Sequence, residues 1–523
     1  MNLNVTEALE AQAEPIGRFE RSAFEAELCG RRHDLLTLLQ ETIQLDIPPT
    51  NMGSNVMAQA PKPAAKAKSP ARAAKATAAR KTTTGRSRNT SRTEASSGRP
   101  VYLVDGVRTP FLRARNKPGP FTPVDLAVQC GRPLLTRQPF FPNEFDTVIL
   151  GCVNVIADEM NPARVATLRL GMGAAMTAFT VQINCGSGMQ SIDTAFRTIE
   201  AGKADLILAG GAEALSHAPL VLRQQAVEWF GRFATAKTAW KKTAALADLR
   251  PEMAKPVIGL ERGLTDPLTE LNMGQTAEVI GHLFGITRKT ADAYALESHQ
   301  RLARAQNNGF LDGEVIPMVA RDGTLYDHDD GVRPDTSMDK LANLSPVFEK
   351  PYGNVTAGNS SQITDGACWT VLASEEAMKK YKLEPLARIV DSEWSALDPS
   401  IMGLAPTLCS TEIMKRRDLS REDIDLWELN EAFAAQVLAC LAAWEDAEYC
   451  RDVLGLDGVF GRIDRDRLNV DGGAISLGHP VGTSGNRLVL HLVNAMRRLG
   501  LKRGIATECI GGGQGGAMLL EVA

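Results

Sequence analysis

Three side chains in this sequence sit in local settings suited to chemistry: Cys185 in NCGSGMQS, His479 in GGAISLGHPVGTSG and Cys509 in ECIGGGQGG. Cys185 follows a predicted strand and precedes a predicted helix, where unpaired backbone N–H groups and a partial positive charge favour a thiolate and lower a thiol pKa. A nucleophile fits that position, and so, in isolation, does a small buried cysteine filling space beside glycines. His479 is one of seven histidines and lies in a turn too glycine-rich for core packing, so its imidazole can face a cleft as a base. A structural, hydrogen-bonded histidine is the other reading. Cys509 ends a strand among glycines that permit close backbone approach to a ligand; alone, it equally fits an inert strand-end thiol. Asn430 and Glu431 in LWELNEAFAAQ open an apolar helix, and by itself Asn430 reads best as its N-cap. The run GNVTAGNSSQITDGA, residues 353–367, reads as a loop of small polar residues able to lie along an extended ligand.

The elements that position these residues read as α/β. VYLVDGVRTPF, DTVILGCV and DLILAGGAEAL are predicted strands. Between the last two, Met189, Ile192, Phe196 and Ile199 recur at helical spacing up to a stop at Gly202. The unit is strand, turn with Cys185, helix, strand. It recurs near the C-terminus, where the glycine turn bearing His479 runs into a helix with Leu488, Leu492, Met496 and Leu499 on one face and Gly500 as its stop, followed by the strand GIATECI. Two units of the same order predict an internal duplication, and a shared sheet topology would bring both turns to one cleft.

At 523 residues and 44% hydrophobic content the chain can bury a large core. Its nine cysteines are odd in number and scattered, with no CxxC pair or Cys/His cluster, which argues against a disulfide framework or a zinc site and for reduced thiols in a cytoplasmic setting. The start MNLNVTEALEAQAEP lacks a basic, then apolar, secretory pattern, and its glutamates disfavour a mitochondrial presequence. No apolar stretch approaches the roughly 20 residues of a membrane span.

Charge is segregated. The chain as a whole carries −4, yet residues 61–100 hold eleven lysines and arginines against Glu94 alone. With almost no large apolar residues, that segment is predicted to be disordered and suited to an anionic surface. Residues 5–46 ahead of it show a patchy helical pattern, and Met57 begins a stretch that resembles a natural translation start.

Taken in order, NCGSGMQS, GNVTAGNSSQITDGA, NEAF, GGAISLGHPVGTSG and CIGGGQGGAM resemble the successive signature blocks of the thiolase family, over about residues 101–523. The resemblance implies a five-layered αβαβα fold of two duplicated halves with an inserted loop domain. In this chain it implies an N-terminal extension, residues 1–99, a first half at 100–383 with the insertion at about 217–354, and a second half at 384–523. It also implies roles. Cys185 would be the nucleophile that carries the acyl group, His479 its base, and Cys509 the acid/base at the α-carbon. Asn430 would hold a water that, with His479, stabilises the enolate oxygen, and the backbone N–H groups of Cys185 and Gly511 would hold the thioester oxyanion. Ser361 would touch the pantetheine arm and Met402 the acyl end. No bound cofactor is expected, coenzyme A and acyl-CoA being substrates, and a homodimer or homotetramer is implied.

At LNMGQTAE, Asn272 stands where short-chain biosynthetic thiolases have histidine, and residues 220–271 are long. The chain in this respect resembles the thiolase subunit of trifunctional fatty-acid oxidation complexes, although NEAF stands where such subunits often read HEAF. The implied activity is thiolytic cleavage of 3-ketoacyl-CoA, or the reverse condensation, with a complex to a hydratase/dehydrogenase subunit as a further expectation. The alternatives are a short-chain acetyl-CoA C-acetyltransferase and a non-catalytic scaffold with a basic binding tail.

Overall fold

The computed structural model describes residues 98–115 and 117–523; the helical pattern at 5–46 and nearly all of the basic segment lie outside them. The first half contains β1 (Val101–Arg108), α1 (Pro123–Thr136), β2 (Thr147–Gly151), α2 (Pro162–Arg169), β3 (Thr177–Val181), α3 (Ser187–Glu200) and β4 (Leu206–Ala214). An insertion follows, with α4 (Gln224–Thr235), α5 (Ala239–Ala247), α6 (Met273–Leu283), α7 (Arg288–Asn307) and two short two-stranded ribbons. The half closes with β5 (Thr364–Ser374). The second half holds β6 (Ala387–Ala396), α8 (Ala405–Arg417), β7 (Leu426–Leu429), α9 (Ala434–Glu445), α10 (Val481–Leu499), β8 (Arg503–Ile510) and β9 (Gln514–Val522).

The strand order demonstrates the duplication. In the first half it runs β3-β2-β4-β5-β1, with β3, β2 and β4 parallel and β5 antiparallel to both β4 and β1. In the second it runs β7-β8-β9-β6, with β7 parallel to β8 and β9 antiparallel to both β8 and β6. A lone parallel bridge between Trp427 and Leu468 stands where a counterpart of β3 would pair. The halves are not separate sheets. Val101–Leu103 of β1 pair with Ala387–Ile389 of β6, which joins them into one path of nine strands.

Alternation along the strands sets the layers. Leu206 and Leu208 of β4 pack with α1 on one face, while Ile207 and Ala209 pack with α3 and α10 on the other. The second half mirrors this: Leu520 and Met518 of β9 face α3 and α10, and Leu519 and Ala517 face outer helices including α9. The result is helix, sheet, helix, sheet, helix, with α3 and α10 as the shared middle layer. Strands β4 and β5 are buried along their whole length, as strands covered on both faces must be.

Close contact of α3 with α10 depends on two glycines. A Cβ on Gly188 would lie 2.7 Å from the backbone nitrogen of Asn486, and one on Gly485 would lie 2.5 Å from that of Met189. The first turns of the two helices therefore touch backbone to backbone, and the turns that precede them are held side by side.

Two local expectations change. Asn430 is not an N-cap: it leaves the end of β7 with its backbone N–H donating to Thr507 O at 2.9 Å, and α9 starts only at Ala434. Thr364–Ala367, read as loop, already belong to β5.

Candidate active site

Cys185 sits on a turn closed by its neighbours. Ser187 Oγ accepts from the Ile183 N–H at 2.9 Å and donates to Asn184 O at 2.7 Å. Asn184 adopts φ +46°, a left-handed conformation that asparagine tolerates better than most residues. Its side-chain amide reaches into the second half and donates to Gly511 O at 2.8 Å. That bond brings Gly511 to Cys185, and the backbone N–H groups of Gly511 and of Cys185 itself favour the thiolate. Cys185 is the one cysteine among the described residues that is not fully buried.

The acidic thiol expected from the helix end is not what the fold produces. Desolvation pushes the Cys185 thiol up to about 12, the Glu508 carboxyl acts in the same direction, and the N–H of Gly511 opposes them. Burial outweighs the helix end, so the resting group is a thiol that needs a base.

His479 occupies in the second half the position that Cys185 occupies in the first, on the turn leading into the middle-layer helix. Its backbone N–H donates to Gln362 O at 2.9 Å. Its Nδ1 lies 2.6 Å from Ser484 Oγ, which itself donates to Pro480 O at 3.2 Å. With the hydroxyl proton so engaged, Nδ1 carries the ring proton and Nε2 is left with its lone pair. Nε2 lies 3.4 Å from Asn430 Nδ2. Burial, with Arg487 acting in the same sense, lowers the His479 pKa to about 4: the imidazole is a neutral base at neutral pH.

Cys509 ends β8 and is buried against Met273, Ala277, Met402 and Phe433. Burial raises its thiol well above the ordinary value, with the nearby Cys185 sulfur adding to the effect. Asn430 is fully buried, and its Oδ1 has no hydrogen-bond partner among the described residues. The loop after it is fixed by Glu431, whose carboxylate accepts from Tyr294 at 2.9 Å and Ser298 at 2.7 Å. Ser361 is tied to this loop by its backbone N–H, which donates to Ala432 O at 2.9 Å.

Asn272 takes a different place from the rest. It caps α6, accepting from the Gln275 N–H at 3.0 Å while the Gln275 side chain accepts from its own. Its neighbour Met273 lines the cleft instead. That cleft opens beside Cys185 with a volume of about 230 Å³, between Leu215, Leu260, Leu264, Met273 and Val481.

The arrangement is thus a half-buried, desolvated thiol beside two N–H donors, a neutral imidazole and a second thiol nearby, gathered from both halves. Residues 101–376 match the model of the thiolase N-terminal domain, and residues 383–522 that of the thiolase C-terminal domain. The chain belongs to the thiolase family. This thiolase is 38% identical over 431 residues to the beta-ketoadipyl-CoA thiolase of Pseudomonas aeruginosa, covering 81% of its own length and 99% of that protein. It is 36% identical over 427 residues to the mitochondrial 3-ketoacyl-CoA thiolase of Rattus norvegicus, covering 81% and 98%. The crystal structure of human mitochondrial 3-ketoacyl-CoA thiolase superimposes with a TM-score of 0.70 at 36% identity, over 81% of this chain and 99% of that one. The protein is an acyltransferase that cleaves or forms carbon–carbon bonds by thiolysis or condensation, with coenzyme A as substrate.

Motif reading did not reach several groups that shape the site. Asn184 adjoins Cys185 in NCGSG and Ser484 lies within HPVGTSG, so both were in view without an assigned purpose. Leu260 and Leu264 lie in the insertion and carry no motif. Glu213, which accepts from the N–H groups of Val153 at 3.0 Å, Asn154 at 2.9 Å and Gly482 at 2.9 Å, stands only as a strand residue in the sequence.

Proposed function

We propose that this thiolase acts on 3-ketoacyl-CoA substrates longer than four carbons whose acyl chain ends without a charge. Cys185 takes the acyl group as a thioester, and His479 Nε2 accepts its proton. The N–H groups of Cys185 and Gly511 receive the thioester oxyanion. Cys509 returns a proton to the α-carbon of the departing acetyl-CoA enolate, or removes one in condensation, while Asn430 and His479 hold the enolate oxygen through a water, a role in keeping with the orphaned Asn430 Oδ1. Ser361 and Met402 contact the pantetheine and acyl ends.

The observation that carries the substrate reading is the lining of the cleft. Leu215, Leu260, Leu264, Met273 and Val481 supply apolar walls, and among the described residues Asp266 is the only charged one on them. Asp266 accepts from the N–H groups of Leu268 and Thr269, both at 2.9 Å, which ties it to its own turn. Among the described residues, no lysine, arginine or histidine is on the walls of the cleft. A chain ending in a carboxylate, as the name beta-ketoadipyl-CoA thiolase implies for that relative, would be buried there without a counter-charge, which costs several kcal/mol.

Thiolysis rates across straight-chain 3-ketoacyl-CoA esters and 3-ketoadipyl-CoA test this. The expected result is higher kcat/KM for six- and eight-carbon chains than for 3-ketoadipyl-CoA. Restriction to acetoacetyl-CoA, or a preference for the dicarboxylic substrate, would sink the reading.

The proposal includes a homo-oligomer in the cytoplasm. Strand β3 ends the sheet path with Phe179 exposed, an edge suited to pairing with a second copy. The exposed Leu222, Val227, Phe230 and Trp240 around α4 and α5 support a docked partner, for which a hydratase/dehydrogenase subunit is the candidate.

A further inference from the structure

The residue before Cys509 is a glutamate whose carboxyl finds no hydrogen-bond partner among the described residues. Glu508 has no exposed surface, and neither carboxyl oxygen has a hydrogen-bond partner among the described residues. Side chains alternate along β8, so Glu508 points away from Cys509 into the middle layer. There it meets the first turns of both middle-layer helices. The Cβ position of Gly485 in α10 lies 2.2 Å from Glu508 Oε1 and 2.5 Å from the Met189 nitrogen of α3. The carboxyl group therefore packs against Gly485 of α10 close to the first turn of α3, the helix that Cys185 precedes by two residues.

A buried charge without a partner is strongly disfavoured, whereas an uncharged acid costs far less. Burial indeed raises the Glu508 carboxyl well above the usual carboxylate range, with Arg487 opposing. The titratable and charged groups that interact with it electrostatically are Arg487 from α10, Cys185 from the turn before α3 and, from the opposite face of its own strand, Cys509. Glu213 of β4 bears on Cys185 as well, and Glu428 of β7 pairs with Arg487 at 2.9 Å.

We propose that Glu508 is a positioning residue that controls the Cys185 thiol electrostatically: held as an uncharged acid against both helix ends it leaves their positive field intact, and on losing its proton it opposes the thiolate. The inference rests on Cys185 as the nucleophile. An acid here fills its place beside the helix contact while adding no charge to a site that must form a thiolate, and a glutamate confers an alkaline limit that a glutamine would lack.

The test is the pH dependence of Cys185 alkylation by iodoacetamide in the full-length protein, followed by peptide mass spectrometry so that only this cysteine is scored. In the native protein the rate should rise with pH in two limbs, the upper one shallower as Glu508 ionises. In Glu508→Gln, and in Glu508→Met should the amide not fold, the upper limb should straighten and run at least about threefold faster at pH 10, with the curves together near pH 7. A single-limbed native curve overturns the proposal. So does a variant that is several-fold faster already at pH 7, since Glu508 would then be charged in the resting protein. Failure of the nucleophile reading is separate: the acetyl adduct from acetyl-CoA would map to another residue.

Discussion

Ser484 Oγ lies 2.6 Å from His479 Nδ1 and donates its own proton to Pro480 O, so a serine hydroxyl one helical turn away decides which imidazole nitrogen is free. Ser484→Ala removes that choice and lets the proton move to Nε2. Acylation of the enzyme by acetyl-CoA, measured by rapid quench, should slow by about tenfold to a hundredfold while the fold is retained. Ser484→Thr, which restores the hydroxyl, should recover part of the rate; an unchanged alanine variant would mean another group sets the tautomer.

The two thiols should fail differently. Cys185→Ala should lose both the acetyl adduct and turnover, because no other nucleophile is assigned. Cys509→Ala retains Cys185 and His479, so the adduct should still form while condensation falls by orders of magnitude. Mass spectrometry after incubation with acetyl-CoA reads the first, and acetoacetyl-CoA formation the second. Normal condensation by the Cys509 variant would refute the division of roles.

His491 of α10 supplies a pH-dependent stability term. It is buried with Nδ1 2.9 Å from Glu314 and Nε2 3.3 Å from Asp471, and although burial lowers its pKa, the carboxylates of Glu314 and then Asp471 outweigh this and raise it to about 10. A raised histidine stabilises the fold fully below its ordinary value of 6.5, and the contribution fades as pH rises from there through about 10. Breaking such a buried pair typically costs about 3–5 kcal/mol. His491→Gln should therefore lower the melting temperature markedly at pH 6 and little at pH 10.5, and calorimetry at the two values checks it. Equal losses at both would place the effect in packing.

Removal of residues 1–97 should leave turnover within about twofold, because none of the site groups comes from that region and low-apolarity segments contribute little burial. If the basic segment binds anionic vesicles or nucleic acid, that binding should vanish on truncation and weaken steeply with salt in the full chain. Loss of folding in the truncated protein would show that the region is structural.

The sequence by itself determined the elements and the chemistry-bearing residues. Apolar runs and glycine stops mark β1, β2, β4, α3, α10 and β8 because burial and chain reversal act locally. Cys185, His479 and Cys509 stand out because each interrupts a glycine-rich junction between such elements.

What only the tertiary structure decided is how their neighbours act on them. The helix end in front of Cys185 is visible in the sequence, but the burial that reverses its effect on the thiol, with the Glu508 carboxyl adding to it and the Gly511 N–H opposing it, is built by parts of the chain hundreds of positions away. Asn430 reads as a helix cap because its successors are helical, and it is instead held in an extended strand end by Thr507. Asn272 looked like a site residue and is spent on capping, since a side chain that satisfies its own helix is not free to face the cleft. Burial and hydrogen-bond partnership depend on what the rest of the chain places nearby, and local pattern carries no record of that.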